Sequence, residues 1–377
     1  MKKRLMTPGP TPVPEETLLE LARPVFYHRS SEFHKIMGEV LADLQTVFCT
    51  TNPVLPLTCS GTGALEAALV NTVPAAGKVI CLSAGRFGER WQHICAAFGI
   101  EPLVVSVPYG QAVQPEQLKR ALAEHPDAIA VCSTLSETST GVGHDIEAFG
   151  KIVAKTGALL LVDAISGLGA MDCRTDAWNI DICCAGSQKA LMMPPGLAFL
   201  SASDKAWKVV GNLPSPRSFY FDLKKARAKW EVNDTPFTPA HTLLRAMRVS
   251  LKKIVTEGME NIWARQARHA AAARAGFQAM GLAIFPSPPN NALTVVKVPA
   301  DIDSGALLEK LEKHYGIKLA NGQGTLKGRI FRLGHMGYID QFDILAALSG
   351  VELVLHEMGF PLELGKSLAA AQKMLGS

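Results

Sequence analysis

Two side chains in this chain of 377 residues combine a type and a setting suited to covalent chemistry. Lys189 follows the apolar run Ile182-Cys183-Cys184-Ala185 and the turn Gly186-Ser187-Gln188, and precedes Met192-Met193-Pro194-Pro195-Gly196. A lysine framed in this way is expected to be partly desolvated, which lowers its pKa and frees the amine as a nucleophile. Asp163 ends the run Ala158-Leu159-Leu160-Leu161-Val162, so its carboxylate should emerge at the carboxyl edge of a buried parallel strand. Open α/β sheets bind ligands at that edge. An imine-forming lysine, with a carboxylate that keeps a pyridine nitrogen protonated, is the pair that lets pyridoxal 5'-phosphate (PLP) act as an electron sink.

The elements that must hold this pair alternate along residues 54–200. Val54 to Cys59 is followed by a helix-like Thr62 to Val70, Lys78 to Ser83 by Phe87 to Phe98, Ala128 to Thr134 by Ile146 to Lys155, and then comes Ala158 to Val162. Apolar strands alternating with helices predict βαβ units around a mostly parallel central sheet flanked by helices, an α/β fold. Residues 240–280 carry helical spacing with no strand-like run and predict a helix pair broken near Gly258. Beyond Leu282, strand patterns at Leu293 to Val298 and Arg329 to Leu333 alternate with helix patterns at Ala306 to His314 and Phe342 to Met358, which fits a smaller α+β domain. The division expected is an extended segment over 1–14, a large cofactor-binding domain over 15–258 and a small C-terminal domain over 259–377. Prolines fix φ in Thr7 to Pro14, which therefore reads as an extended crossing between domains.

Most remaining polar candidates fall in turns after strands. Ser60-Gly61-Thr62-Gly63 opens a helix, where free backbone N–H groups and the helix dipole attract a phosphate, although such a turn can also be merely tight. No G-x-G-x-x-G fingerprint follows. Phe87 is placed either to pack in the core or to stack on a cofactor ring. Thr138, in Ser136-Glu137-Thr138-Ser139-Thr140-Gly141, could donate a hydrogen bond to a cofactor or belong to a loop that caps the helix starting near His144.

This ordered set, from TPGPTPVP near the N-terminus to FRLGHMG near the C-terminus, resembles the class V aminotransferases of PLP fold type I, most closely the alanine–glyoxylate and serine–pyruvate aminotransferase group. The resemblance implies that Lys189 holds PLP as a Schiff base, that Asp163 pairs with the pyridine nitrogen, and that Ser60, Gly61, Thr62 and Gly63 cradle the phosphate. It further implies that Phe87, at a place where the family has an aromatic, often tryptophan, and Ile165 face the two sides of the ring, with Thr138 and Gln188 as further contacts. Thr235-Pro236-Phe237-Thr238-Pro239 resembles a segment that reaches the phosphate in the partner subunit of a homodimer; Thr238 is the first choice there and Thr235 the second. Arg332 matches the arginine that clamps the substrate α-carboxylate, a role suited to its bidentate fork. Gly9 and His28-Arg29-Ser30 resemble segments near the substrate pocket. Leu135 stands where many relatives carry histidine.

The implied reaction is transfer of an amino group from alanine or serine to glyoxylate or pyruvate. With no second arginine motif for a dicarboxylic substrate, aspartate is expected to be a poor donor. A 2-aminoethylphosphonate–pyruvate transaminase is the alternative within the fold type. A cysteine desulfurase fits poorly, because no cysteine follows Cys184. A non-catalytic subunit that retained the fold is the alternative from another class, and the intact Lys189, Asp163 and Arg332 speak against it.

Composition is that of a globular enzyme, 48% hydrophobic and 19% charged, so disorder is not expected. The net charge of +4 is small and dispersed. Its densest cluster, Lys224 to Lys229, reads as a solvated helix face rather than a nucleic-acid patch. No apolar run approaches the roughly 20 residues that span a bilayer, and no apolar stretch follows Met-Lys-Lys-Arg at the start, so a cytoplasmic protein is expected. The eight cysteines show no metal-site spacing and read as reduced core thiols.

Overall fold

The computed structural model describes residues 2–213 and 217–376. Seven strands form the central sheet: β1 (Val54–Leu57), β2 (Lys78–Ser83), β3 (Glu101–Ser106), β4 (Ala130–Thr134), β5 (Leu159–Asp163), β6 (Ile182–Gly186) and β7 (Ala198–Ala202), in the spatial order β1-β7-β6-β5-β4-β2-β3. The run from β6 across to β3 is parallel, and β7 lies antiparallel to both β6 and β1. In β5 every residue is buried, because the sheet is covered on both faces. Leu160 and Val162 point into one apolar layer with Phe33, Leu44 and Phe149, while Leu159 and Leu161 point into the other with Leu65, Ala68 and Trp91. Each such leucine stabilises the sheet by roughly 1.5–3 kcal/mol of transfer energy. The register then sets the site, with Asp163 opposite Thr134 on β4 and opposite Cys184 on β6.

The helix pair is present as His241–Glu257 and Met259–Ala279, interrupted at Gly258, whose φ of 84° ends one helix and starts the next. The second helix is shared: Met259, Ile262 and Trp263 join the core of the central sheet, whereas Ala272, Ala273 and Phe277 join a core built by the C-terminal part of the chain. That part carries a three-stranded antiparallel sheet, with Ile330–Gly334 between Leu293–Lys297 and Ala320–Asn321. Arg332 is the middle residue of the central strand.

The N-terminal segment crosses between these regions. Arg4–Leu5 pairs with Ile317–Lys318, Gly334 N donates to Met6 O at 2.8 Å, and Thr11 N donates to Gln188 O at 3.2 Å. Helices Ser31–Phe48 and Pro115–Glu124 and strands β3 and β7 were not anticipated from sequence, and β1 stops at Leu57 rather than Cys59. Lys224, Lys225 and Lys229 are exposed on helix Leu223–Trp230. Among the described residues no helix is long and apolar enough to cross a membrane.

Candidate active site

Lys189 follows β6 by three residues, on a turn whose carbonyls are held from outside: Thr11 Oγ1 donates to Lys189 O at 2.7 Å. Its Nζ donates to Pro8 O at 2.7 Å. Burial lowers its pKa to about 8; Arg332 and Arg90 reinforce that shift and Asp163 opposes it. A buried amine with this pKa is unprotonated in a useful fraction near neutral pH.

Asp163 is 3% exposed, and its Oδ1 accepts from Ile165 N at 2.9 Å. Burial raises its carboxyl to about 6, against the opposing amide of Ile165 and the charge of Arg90. A cationic ring nitrogen beside it would favour the carboxylate.

Ser60 precedes helix Gly61–Thr72, and no side chain caps that helix. Gly63 N donates to Ser60 O at 2.8 Å, which leaves the N–H groups of Gly61 and Thr62 available to an anion among the described residues. A Cβ on Gly61 would lie 2.4 Å from Ile165 Cδ1, so glycine is what allows this turn to close against Ile165. Gln188 Oε1 is buried without a hydrogen-bond partner among the described residues. An uncapped helix start, an aliphatic side chain against it, an orphaned amide oxygen and a desolvated amine together fit a phosphorylated pyridine aldehyde. Phe87, half-buried at the start of helix Arg86–Ala97, has the Arg90 guanidinium 4.6 Å from its ring centroid. Its backbone is held by Glu137, whose carboxylate accepts from Phe87 N at 3.1 Å.

Thr138 is buried, with its Oγ1 2.5 Å from Ser166 Oγ. Ser166 Oγ donates to Ser136 O at 3.1 Å, so the Thr138 proton is directed at Ser166 and its free lone pairs make it an acceptor. The neighbouring helix Ile146–Val153 is capped by Asp145, which accepts from Ala148 N, and not by this hydroxyl-rich loop.

Arg332 is 5% exposed and held by carbonyl oxygens alone: Nε and Nη2 donate to Asn321 O at 3.0 and 2.8 Å, and Nη1 donates to Thr138 O at 3.0 Å. A guanidinium has five donors, so one N–H on each terminal nitrogen is left for a ligand carboxylate. Burial lowers its pKa to about 10, opposed by Glu137.

Gly9 touches the lysine itself: its φ is 130°, and a Cβ there would stand 2.2 Å from Lys189 Nζ. Thr235 is buried and turned inward, its Oγ1 donating to Phe237 O at 2.8 Å. Thr238 is exposed, in a crevice wall with Thr58, Tyr220 and Phe237. Arg29 is paired with Asp234 and donates to Thr235 O at 2.8 Å, which fixes this segment from the N-terminal side. His28 faces His241 at 6.1 Å between ring centroids, and His335 is buried 3.0 Å from Thr294 Oγ1. Leu135 fills the space beside Gly167. Sequence reasoning missed Pro8, Asn321, Ser166, Arg90 and Glu137. Pro8 and Asn321 act through carbonyls that any residue supplies, whereas Glu137 lay in a quoted motif and was detectable as a lone carboxylate directly after a buried strand.

This arrangement defines the class: a lysine and a carboxylate at neighbouring strand ends of a parallel sheet, faced by a guanidinium from a second sheet, on the architecture of PLP fold type I. The crystal structure of ureidoglycine–glyoxylate aminotransferase from Bacillus subtilis matches it with a TM-score of 0.94 and 30% identity, over 100% of this chain and 99% of that one. The chain belongs to the class-V aminotransferase family, whose model matches residues 19–338. One relative, 41% identical over 100% of this chain and 99% of its own, is named the small subunit of a soluble hydrogenase from Synechococcus sp. (strain PCC 6716). Another, 34% identical over 98% of this chain and 95% of its own, is the L-aspartate–glyoxylate aminotransferase of Paracoccus denitrificans (strain Pd 1222).

Proposed function

We propose that the chain is a PLP-dependent aminotransferase that moves the amino group of a small amino acid, alanine or serine, to glyoxylate or pyruvate, acting in the cytoplasm as a homodimer. The observation that carries this reading is the convergence of Lys189, Asp163 and Arg332, with Arg332 left two free donors. Glyoxylate in the names of the Paracoccus and Bacillus relatives supports the acceptor. The eight free cysteines support a reducing compartment.

Bound at this site, PLP supplies an electron sink for the pair released at the substrate Cα. The first turn after Ser60, together with Gly61, Thr62 and Gly63, would hold its phosphate. Phe87 and Ile165 would take the two faces of the ring, Asp163 its nitrogen, and Thr138 and Gln188 its remaining polar edge. Thr238 of the partner subunit would complete the phosphate site, with Thr235 as a backbone support. Lys189 Nζ would act as the base that takes up and moves the proton of the substrate Cα. Arg332 fixes the carboxylate so that the Cα–H faces that amine, and the segment at Pro8 and Gly9 keeps water from it. We read 15–258 and 259–377 as two domains bridged by 1–14, a division supported by the break at Gly258 and by the second sheet.

The name of the Synechococcus relative supports a second reading, a subunit of a redox assembly that keeps this fold. Purified protein separates the two. Offered alanine, serine and aspartate against glyoxylate and pyruvate, it should transfer the amino group, and donor alone should bleach the visible band of the bound cofactor. Lys189→Ala should lower turnover on the order of a thousandfold or more. Absence of transfer from every donor, in protein that holds stoichiometric PLP, rejects the activity; faster transfer from aspartate reassigns the donor.

A further inference from the structure

Glu137 is fully buried, yet its carboxylate is one of the most heavily hydrogen-bonded groups near the site. Its Oε2 accepts from Gly88 N at 2.9 Å and Phe87 N at 3.1 Å, while its Oε1 accepts from Ser139 N at 3.1 Å and Ser139 Oγ at 2.5 Å. Helix Arg86–Ala97 has only Gly85 at its N-cap and no cap from its own sequence, so Glu137, from the segment after β4, supplies the acceptor that the helix start lacks; burial raises its carboxyl pKa, and the donors of Ser139, Gly88 and Phe87 oppose that shift by favouring the carboxylate. Gly85 makes the approach possible, since a Cβ there would lie 2.6 Å from Glu137 Cδ.

The next residue, Thr138, presents its carbonyl to Arg332 Nη1 and its hydroxyl to Ser166. One carboxylate therefore ties together Phe87, Thr138 and, through the Thr138 carbonyl, Arg332. It also supplies a compensating negative charge to a guanidinium whose own hydrogen bonds go only to neutral carbonyls.

We propose that Glu137 is a positioning residue that sets the aromatic platform of Phe87 and the carboxylate clamp of Arg332 relative to each other. The proposal rests on the reading of the site given above. A neutral isostere cannot serve the same donors, because whichever way its amide faces, an NH2 group opposes either the N–H groups of Phe87 and Gly88 or those of Ser139.

Glu352 provides the control. It too is buried and accepts from backbone N–H groups, Gly365 N at 3.0 Å and Ser367 N at 3.1 Å, but within the C-terminal helices. Glu137→Gln and Glu352→Gln are compared in melting temperature, in PLP affinity titrated onto the apoprotein, in the induced circular dichroism of the bound cofactor, and in KM and kcat. Glu137→Gln should raise the PLP Kd and the donor KM about tenfold each and diminish the induced signal, whereas Glu352→Gln should lower the melting temperature and leave all three within twofold. In the apoprotein, Glu137→Gln should also speed amide hydrogen exchange at Phe87, Gly88 and Ser139. Affinity and KM unchanged in Glu137→Gln, or moved equally by Glu352→Gln, overturn the proposal. If Glu137→Gln does not fold, Ser139→Ala keeps the charge and removes one donor: it should give the same changes in weaker form, and its failure to do so counts against Glu137. Wild-type apoprotein that binds no PLP would instead reject the proposed function, while the exchange measurement still reports on Glu137.

Discussion

The side chain of Lys189 is held by the backbone of Pro8, Nζ to carbonyl oxygen at 2.7 Å, although the two residues are separated by most of the large sheet in sequence. The reactive amine is thus met by the chain's first irregular segment, which is itself pinned at Met6 by Gly334 and at Thr11 by Gln188 and Lys189. The next residue, Gly9, is in van der Waals range of the whole end of the lysine side chain.

Gly9→Ala should therefore injure the site more than the fold. The added methyl meets Nζ and the positive φ adds strain of about 1–3 kcal/mol. Turnover is expected to fall at least about tenfold, with the melting temperature only modestly lowered; activity and calorimetry on the variant check this, and wild-type turnover would show that the segment is loosely placed.

The pKa of Lys189 makes a prediction about pH. A base whose pKa is lowered from 10.5 to about 8 gains its neutral form as pH rises through about 8, not through 10.5. Modification of Lys189 in the apoprotein by an acylating reagent, followed by peptide mapping across pH 6–10 or so, should show a rate that levels off above about 8 for this peptide, while exposed lysines keep rising.

Asp163→Asn should retain the cofactor and lose most of kcat, because the amide cannot hold the pyridine nitrogen protonated. Stopped-flow half-reactions and the absorption spectrum decide the matter, and a variant with wild-type kcat and spectrum would remove Asp163 from its role.

Removing the guanidinium in Arg332→Ala leaves the donor carboxylate without a charge-assisted partner, which costs roughly 1.5–3 kcal/mol and raises KM about tenfold or more. Steady-state kinetics with alanine, serine and aspartate test this together with donor choice.

Shared sites can be tested by mixing. If Thr238 serves the neighbouring subunit, a dimer of Lys189→Ala with Thr238→Ala contains one site with both defects and one with neither. Half of its sites should then bind PLP with wild-type affinity, read by titration of the mixed dimer; affinity no better than Thr238→Ala would show that each chain uses its own threonine.

The strand that ends at Asp163 and the one that precedes Lys189 were legible because their apolar runs are buried on both sheet faces and end in polar turns. The edge strand Glu101–Ser106 was not: Pro102 and its alternately exposed residues resemble a loop. Strand β7 was hidden because it starts two residues after a Pro-Pro-Gly turn and carries no β-branched residue. Helix Ser31–Phe48 does carry a readable period, with Phe33, Ile36, Met37, Val40, Leu41 and Leu44 on one buried face. Within the site, residue type and setting exposed Lys189, Asp163 and Arg332 but not Arg90 or Glu137, and the hydroxyl directions of Thr138 and Thr235 depend on Ser166 and Phe237, neighbours supplied by folding.

Asp163 and Cys184 face each other across adjacent strands, five residues before Lys189. The spacing between the two reactive groups is therefore dictated by the hydrogen-bond lattice of the sheet, not by the 18 residues that run from one strand to the other. The crossover is itself pinned, with Asp176 accepting from Thr50 Oγ1 at 2.6 Å and from Thr51 N at 2.8 Å, so acid and amine keep their distance as two teeth on a comb do, by the spine they share.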